Sequence, residues 1–184
     1  MEFLVAGIAL FFLMHMVPSF VGIRRKLIVS IGDTPYKGLL SVVSFAALIL
    51  IIYGKYIAGF QSVWAPPAWS SKVTIVLMVL SFIFLAASGM KTNLNRITRH
   101  PMLWGVTFWS VAHLSTNGDL ASILLFGSFG VFSLIAMLSA NLRGAKKQKT
   151  KQPIILDVLV LIVGLLGYVT LVFLHPYLFG VSVV

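Results

Sequence analysis

Apolar runs long enough to cross a bilayer recur six times in this chain, separated by short polar segments. They fall at about residues 3–23, 38–58, 72–90, 101–116, 119–141 and 154–175. A lipid-embedded backbone must satisfy its own hydrogen bonds, so runs of this kind can only be helices or strands of a closed barrel. Length and continuous apolarity select helices, and the six runs leave almost no sequence for a soluble domain. The chain of 184 residues is therefore expected to be one all-α unit, 1–184, a polytopic transmembrane bundle of about six spans. Only 10% of the residues are charged, against roughly a quarter in soluble domains. The first run has no basic segment before it and no small-residue cleavage site, so it is read as a retained helix.

Charge sorts the loops. The net charge of +10 would suggest nucleic acid in a soluble protein, but here the cations lie between apolar runs. Arg24, Arg25, Lys26 and Lys37 lie in the first loop. Lys91, Arg96 and Arg99 lie in the third, and Arg143, Lys146, Lys147, Lys149 and Lys151 in the fifth. These are 12 of the 14 cations; Lys55 and Lys72 flank the second loop, and the fourth holds only Asp119. The positive-inside rule then places the odd loops in the cytoplasm and both termini on the opposite side. This is the arrangement of an integral membrane protein, with the lipid bilayer as its main partner and no nucleic acid. Residues 144–152 read as a polybasic linker anchored to anionic headgroups. The second loop, with Trp64 and Trp69 around Pro66-Pro67, reads as an interfacial turn.

Ionisable groups within spans are costly and point to function. The chain has no cysteine, hence no disulfide or thiolate ligand, and its four acids are too scattered for a paired acid–base site. Four histidines remain. His15 lies nine residues before Arg24, about 13 Å along a continuous helix, which places it near mid-membrane. His113 lies thirteen residues beyond His100, about 20 Å along a straight helix, so the two could meet if the helices tilt. Buried histidines of this kind either bond between helices or, as neutral imidazoles, ligate a metal or haem. His100 precedes Pro101 at a helix start and reads as an interfacial anchor or a holder of a polar or anionic ligand. His175, before Pro176, reads as a cap or interface residue. Trp109, one turn before His113, could line a flat apolar cofactor or simply pack.

The segment Arg99-His100-Pro101-Met102-Leu103-Trp104-Gly105, with Trp109, Ala112-His113-Leu114, Asn117-Gly118-Asp119-Leu120-Ala121-Ser122 and Leu125-Phe126-Gly127, resembles the signature of the NnrU family. That family includes the plant zeta-carotene isomerases. His15, Pro18, Arg24, Leu27, Gly32 and Tyr36-Lys37-Gly38-Leu39 are similar to its first helix and loop, and Leu174 to Gly180 to its closing segment. In the isomerase branch the resemblance implies a haem b with two axial histidines, here His15 and His113. The same motif implies Arg99, His100, Trp109 and Asn117 as further candidate cofactor-binding residues. It also implies redox-dependent isomerisation or other redox activity on a carotenoid-like or other lipophilic ligand. For bacterial members it implies a link to denitrification and a small nitrogen-oxide ligand. Asn141-Leu142-Arg143 stands where an acid is expected in many relatives. Two alternatives follow from the same residues. Arg-His-Pro at a helix entry also occurs in isoprenylcysteine-type membrane methyltransferases, where it contacts S-adenosylmethionine, although the stretch from Ser139 to Lys151 has no acid to complete such a site. The other is a non-enzymatic accessory or transport subunit, whose histidines pack or carry protons.

Overall fold

The computed structural model describes residues 1–183, and its regular structure is helical. The helices are α1 (Glu2–Met16), α2 (Val21–Ile31), α3 (Asp33–Ile57), α4 (Ser70–Gly89), α5 (Leu94–Ile97), α6 (Pro101–Thr116), α7 (Leu120–Leu142) and α8 (Ile154–Phe179). Five segments are long and apolar enough to cross a membrane: Glu2–Ser19, Asp33–Ile57, Ser70–Gly89, Leu120–Leu142 and Ile154–Phe179. The chain thus has the character of an integral membrane protein. The fourth expected span, 101–116, is α6 and is not among these five. Its 16 residues give about 24 Å of helix, short of a hydrocarbon core of about 30 Å.

The first expected span, 3–23, is corrected. Pro18 sits in a 3-10 turn, Val17–Ser19, that ends α1, and the chain restarts as α2 with Arg24, Arg25 and Lys26 inside it. Proline lacks the N–H that a continuing helix would need. With eleven residues and three adjacent cations, α2 is too short and too charged to span, and suits the membrane interface. The first basic loop is therefore mostly helix.

The long helices pack side by side in the order α3, α1, α7, α6, α4, α8, with α3 also touching α7. Lipid offers no hydrophobic drive for helices to associate, so close backbone approach and interhelical hydrogen bonds must do it. The α1–α3 contact is built that way. A Cβ on Gly54 would lie 2.3 Å from the Leu4 backbone nitrogen, and one on Gly7 2.8 Å from that of Ile51. Leu4, Ile51 and Ala121 form the buried cluster beside this crossing. Elsewhere the contacts are hydroxyl-to-carbonyl bonds: Ser81 donates to Gly105 O of α6 at 2.8 Å, and Thr74 to Ala112 O at 3.0 Å. Many large apolar side chains face outward, including Phe45, Ile52, Leu138, Leu166 and Phe173. A bilayer would cover them.

Each end of the bundle is tied by one acid. At the end with few cations, Lys55 donates to Asp119 at 2.8 Å and to Ser122 Oγ at 2.8 Å. Asp119 also caps α7 by accepting from Ser122 N–H. Gly118 O accepts from Val63 and Trp64 N–H, which fastens the second loop to the turn between α6 and α7. At the basic end, Asp157 accepts from Thr92 Oγ1, Asn93 N–H and the Asn93 amide, while Asn93 Oδ1 accepts from Gln152 N–H. This fixes the start of α8 against the segment after α4.

Two predictions follow from these contacts. Gly54→Ala should destabilise the detergent-solubilised protein by about 1–3 kcal/mol through overpacking. Gly38→Ala, in the same helix with open space around it, should be neutral or slightly stabilising; equal melting temperatures for the two variants would contradict the close crossing. The second concerns Asp119. Burial pushes its carboxyl up, but the Lys55 and Ser122 bonds and the Lys55 charge outweigh this and hold it below the usual range. A depressed carboxylate adds stability that is complete above the unfolded value of about 3.9 and vanishes as pH falls through the folded value. Asp119→Ala should therefore melt earlier than wild type at pH 7, by roughly 1–3 kcal/mol. The gap should close as pH drops below about 4, and parallel curves down to the lowest accessible pH would show that the pair carries no such stability.

Candidate functional site

The two histidines on α1 and α6 flank α7 from either side. On α7, Phe126, Phe129 and Phe132 recur every three residues, so their rings share one broad face. The His113 ring stacks on Phe126 with centroids 4.4 Å apart, and the His15 ring meets Phe132 edge-on at 6.1 Å. Phe129 lies between them. Phe11, which stacks on His15 at 4.0 Å, packs on Phe129 at 5.2 Å, and Trp109, beside His113, packs on it at 5.8 Å. The structure thus brings His15 and His113 to two edges of one aromatic cluster. Their rings are separated by Phe11, Phe129 and Trp109.

Depth follows from the same contacts. Phe132 is twelve residues into α7 and Phe126 six, so the two histidines differ by about 9 Å along that helix. His15 meets the middle of α7 because α1 ends there. The continuous helix from His15 to Arg24 that the spacing implied is absent.

Both imidazoles are oriented in the same way. His15 Nδ1 lies 2.8 Å from Phe11 O, and His113 Nδ1 lies 2.9 Å from Trp109 O, each four residues back. A carbonyl can only accept, so Nδ1 carries a proton in both rings, and in the neutral form of each ring Nε2 holds the lone pair. Nε2 is then the atom offered to a metal, with its ring held by a backbone carbonyl in the manner of metal-ligating histidines. The tautomers suit axial ligation, since a haem supplies four nitrogens of its own and asks only for axial ligands. The rings of Phe11, Phe129 and Trp109 stand between the two histidines, however, so a single iron could take both only after these rings move apart. Among the described residues no group of three or more His, Cys, Asp or Glu side chains could hold a bare metal ion.

Asn117 supports His113 from beneath. Its amide donates to His113 O at 2.8 Å and its backbone N–H to the same oxygen at 2.9 Å, closing the last turn of α6. Trp109 supplies both the carbonyl that orients His113 and a ring 5.1 Å from it.

Arg99 and His100 lie at the other end of α6. Arg99 donates to Asn141 Oδ1 at 2.9 Å, and His100 Nε2 lies 3.0 Å from the same oxygen. That oxygen accepts both bonds, so His100 presents its proton at Nε2 and differs in tautomer from His15 and His113. Asn141, at the end of α7, is thus the neutral partner of a pair of basic groups, which residue types alone could not have revealed. His175 bonds Val181 O at 2.7 Å through Nδ1 and packs on Phe179, closing the turn after α8.

Two open cavities line the bundle. One of about 280 Å³ is apolar and lies between Trp64, Pro67 and Trp69 of the second loop and Val111, Leu114 and Ser115 of α6. The other, about 270 Å³, is polar and lies at the basic end.

The chain matches no curated protein and no solved structure at a significant level. A protein-family comparison matches residues 3–183 to the family described as NnrU protein. That match runs from the first residues of α1, through both histidine-bearing helices, to the segment beyond α8. The chain belongs to the NnrU family.

Proposed function

We propose that this protein binds haem b through His15 and His113 and carries out redox-dependent chemistry on a lipophilic or small ligand within the membrane. The observation that carries this reading is the matched state of the two imidazoles. Each is oriented by its own i−4 carbonyl, each keeps Nε2 free, and both belong to the cluster centred on Phe129. Resemblance to the isomerase branch, with its early histidine and Ala-His-Leu histidine, points to the same pair.

The bound haem would supply an iron whose redox state governs access of a ligand. The chain's own residues would do the rest. Phe11, Phe126, Phe129 and Trp109 pack tilted or edge-to-face on one another and would part to give an apolar surround for a macrocycle or a polyene. The Phe11 and Trp109 carbonyls hold the Nδ1 protons and so keep the ligating lone pairs in place. Asn117 fixes the turn that carries His113. Cis–trans isomerisation of a carotenoid-like ligand and a redox role linked to nitrogen oxides both fit this lining, and orientation with the basic loops in the cytoplasm of a bacterial inner membrane fits the charge distribution.

The methyltransferase alternative is less well supported. S-adenosylmethionine brings a sulfonium cation, and the cavity beside Arg99 is lined by Arg99 and Lys146 with no acid. An accessory or transport role would leave the shared imidazole geometry without a purpose.

The test is optical. Protein made with ample haem should show bis-histidine bands in its reduced-minus-oxidised spectrum, at close to one haem per chain. His15→Ala and His113→Ala should each abolish the six-coordinate spectrum, while His175→Ala should keep it. Absence of haem bands in folded wild-type protein would defeat the proposal.

A further inference from the structure

Hydrogen bonds between helices are distributed unevenly over the bundle. The part formed by α4, α6, α7 and α8 is tied along its length. Ser81 and Thr74 of α4 donate to carbonyls of α6, Thr107 of α6 bonds Ser133 of α7, and Arg99 and His100 hold Asn141 at the end of α7. Asp157 of α8 holds Thr92 and Asn93, and Gln148 and Gln152 tie the loop after α7 across the same end. The other part, α1 to α3, is joined within itself by the close crossing at Gly7 and Gly54. Among the described residues, its hydrogen bonds to the rest lie at one place, the end with few cations. There Lys55 donates to Asp119 and Ser122, and the second loop, which continues α3, bonds the backbone of Gly118 and Leu120.

The seam between the two parts has no such tie. Here α1 and α7 run in the same direction, with Leu4 clustered with Ala121 at one end and His15 against Phe132 at the other. Rings close it towards the basic end: Phe11 and Phe12 pack on Phe129, and Phe12 stacks on Phe132. The two glycines of α7 do not draw it to α1, since a Cβ on Gly130 would meet Ser110 of α6 and one on Gly127 would meet nothing. In water, parting this seam would expose apolar surface. In a bilayer, lipid tails replace the lost contacts at little cost, so a seam without hydrogen bonds or close backbone approach is the one that yields. The chain beyond α1 does not brace it, because Pro18 interrupts the helix and α2 buries none of its residues.

We infer that α1 to α3 form an arm hinged at the Lys55–Asp119 tie, and that the α1–α7 seam parts at its basic end to admit the ligand. This rests on the proposed haem site and says how that site is reached. His15 lies towards the free end of the arm, where displacement is largest, and His113 lies on the tied part. Opening carries Phe11 and Phe12 away from Phe129, so α1 rather than α6 yields the space between the two histidines.

Distances between gadolinium labels test the hinge in the full chain in lipid nanodiscs. The chain has no cysteine of its own, and gadolinium survives the dithionite that keeps haem iron reduced. The probe is haemin, added to apo-protein and then reduced, with its binding read by absorbance. Leu39→Cys with Ile154→Cys spans the basic end, Tyr56→Cys with Phe173→Cys spans the other end, and Leu142→Cys with Ile154→Cys lies within the tied part; all five positions are exposed. On haem binding the first distance should lengthen by about 4 Å, the thickness of an inserted ring. The other two should stay within error. Phe12→Ala, which removes two aromatic pairs across the seam, should speed haem uptake about tenfold. Phe84→Ala, which removes a pair between α4 and α6, should leave the rate unchanged. Bound haem with no shift at the basic end, equal shifts at both ends, or a shift within the tied part would overturn the hinge and leave the haem reading standing. So would equal uptake rates in wild type and Phe12→Ala. Absence of haem bands from folded protein would overturn both.

Discussion

Helix association in lipid rests on contacts that survive without a hydrophobic drive, and the α1–α3 crossing supplies the tightest of them. Gly54 and Gly7 let the two backbones meet, with Leu4 lying directly against Gly54. Because α1 has only 15 residues, this crossing also sets the depth at which it ends. The end of α1 carries His15, so the position of that imidazole against the middle of α7 depends on two glycines near the opposite face. The same short helix leaves Pro18 to break the chain and lets α2 carry its cations at the interface.

From that crossing the layer extends outward through α7 to α6, α4 and α8. The central helix α7 has two distinct faces of use. Its small and hydroxyl residues meet α6, as where Ser133 Oγ and Thr107 Oγ1 bond at 2.7 Å, while its phenylalanines gather the histidine-bearing parts of α1 and α6. Ties made by acids lie at the two ends, Lys55–Asp119–Ser122 at one and Asp157 with Thr92 and Asn93 at the other. A charge buried at mid-membrane would be far more expensive than one at the ends. The acids thus tie helices at the ends while the middle of the bundle stays apolar, which is the environment a flat hydrophobic cofactor or ligand requires.

The basic loops serve more than topology. Straps from Gln148 and Gln152 turn the loop after α7 into part of a wall, so that a segment reading as a polybasic anchor contributes a single lysine to a defined cavity. Asn141 shows a related economy. One neutral oxygen receives both Arg99 and His100 and so orders the entry to α6.

Membrane character and the all-helical class were legible in the linear order of residues, because burial in lipid imposes long uninterrupted apolar runs, whereas the expected six spans meet five helices long and apolar enough to cross. Helix boundaries at Pro101–Thr116 and Leu120–Leu142 were legible as well, being marked by Pro101 and by Asn117-Gly118-Asp119. The break at Pro18 was not read, since an apolar run on both sides masks a local interruption. His15 and His113 stood out as polar groups among apolar ones, but their common orientation depends on helical i−4 carbonyls. Their placement on two sides of Phe129 depends on the lateral order of helices, which no spacing along the chain encodes. The Lys55–Asp119 pair joins residues 64 apart, and Gln148 reaches the Asn95 carbonyl from a distant loop. Residue type and period settle what enters the membrane; which side chains then face one another is settled by close packing between helices that are not neighbours in sequence.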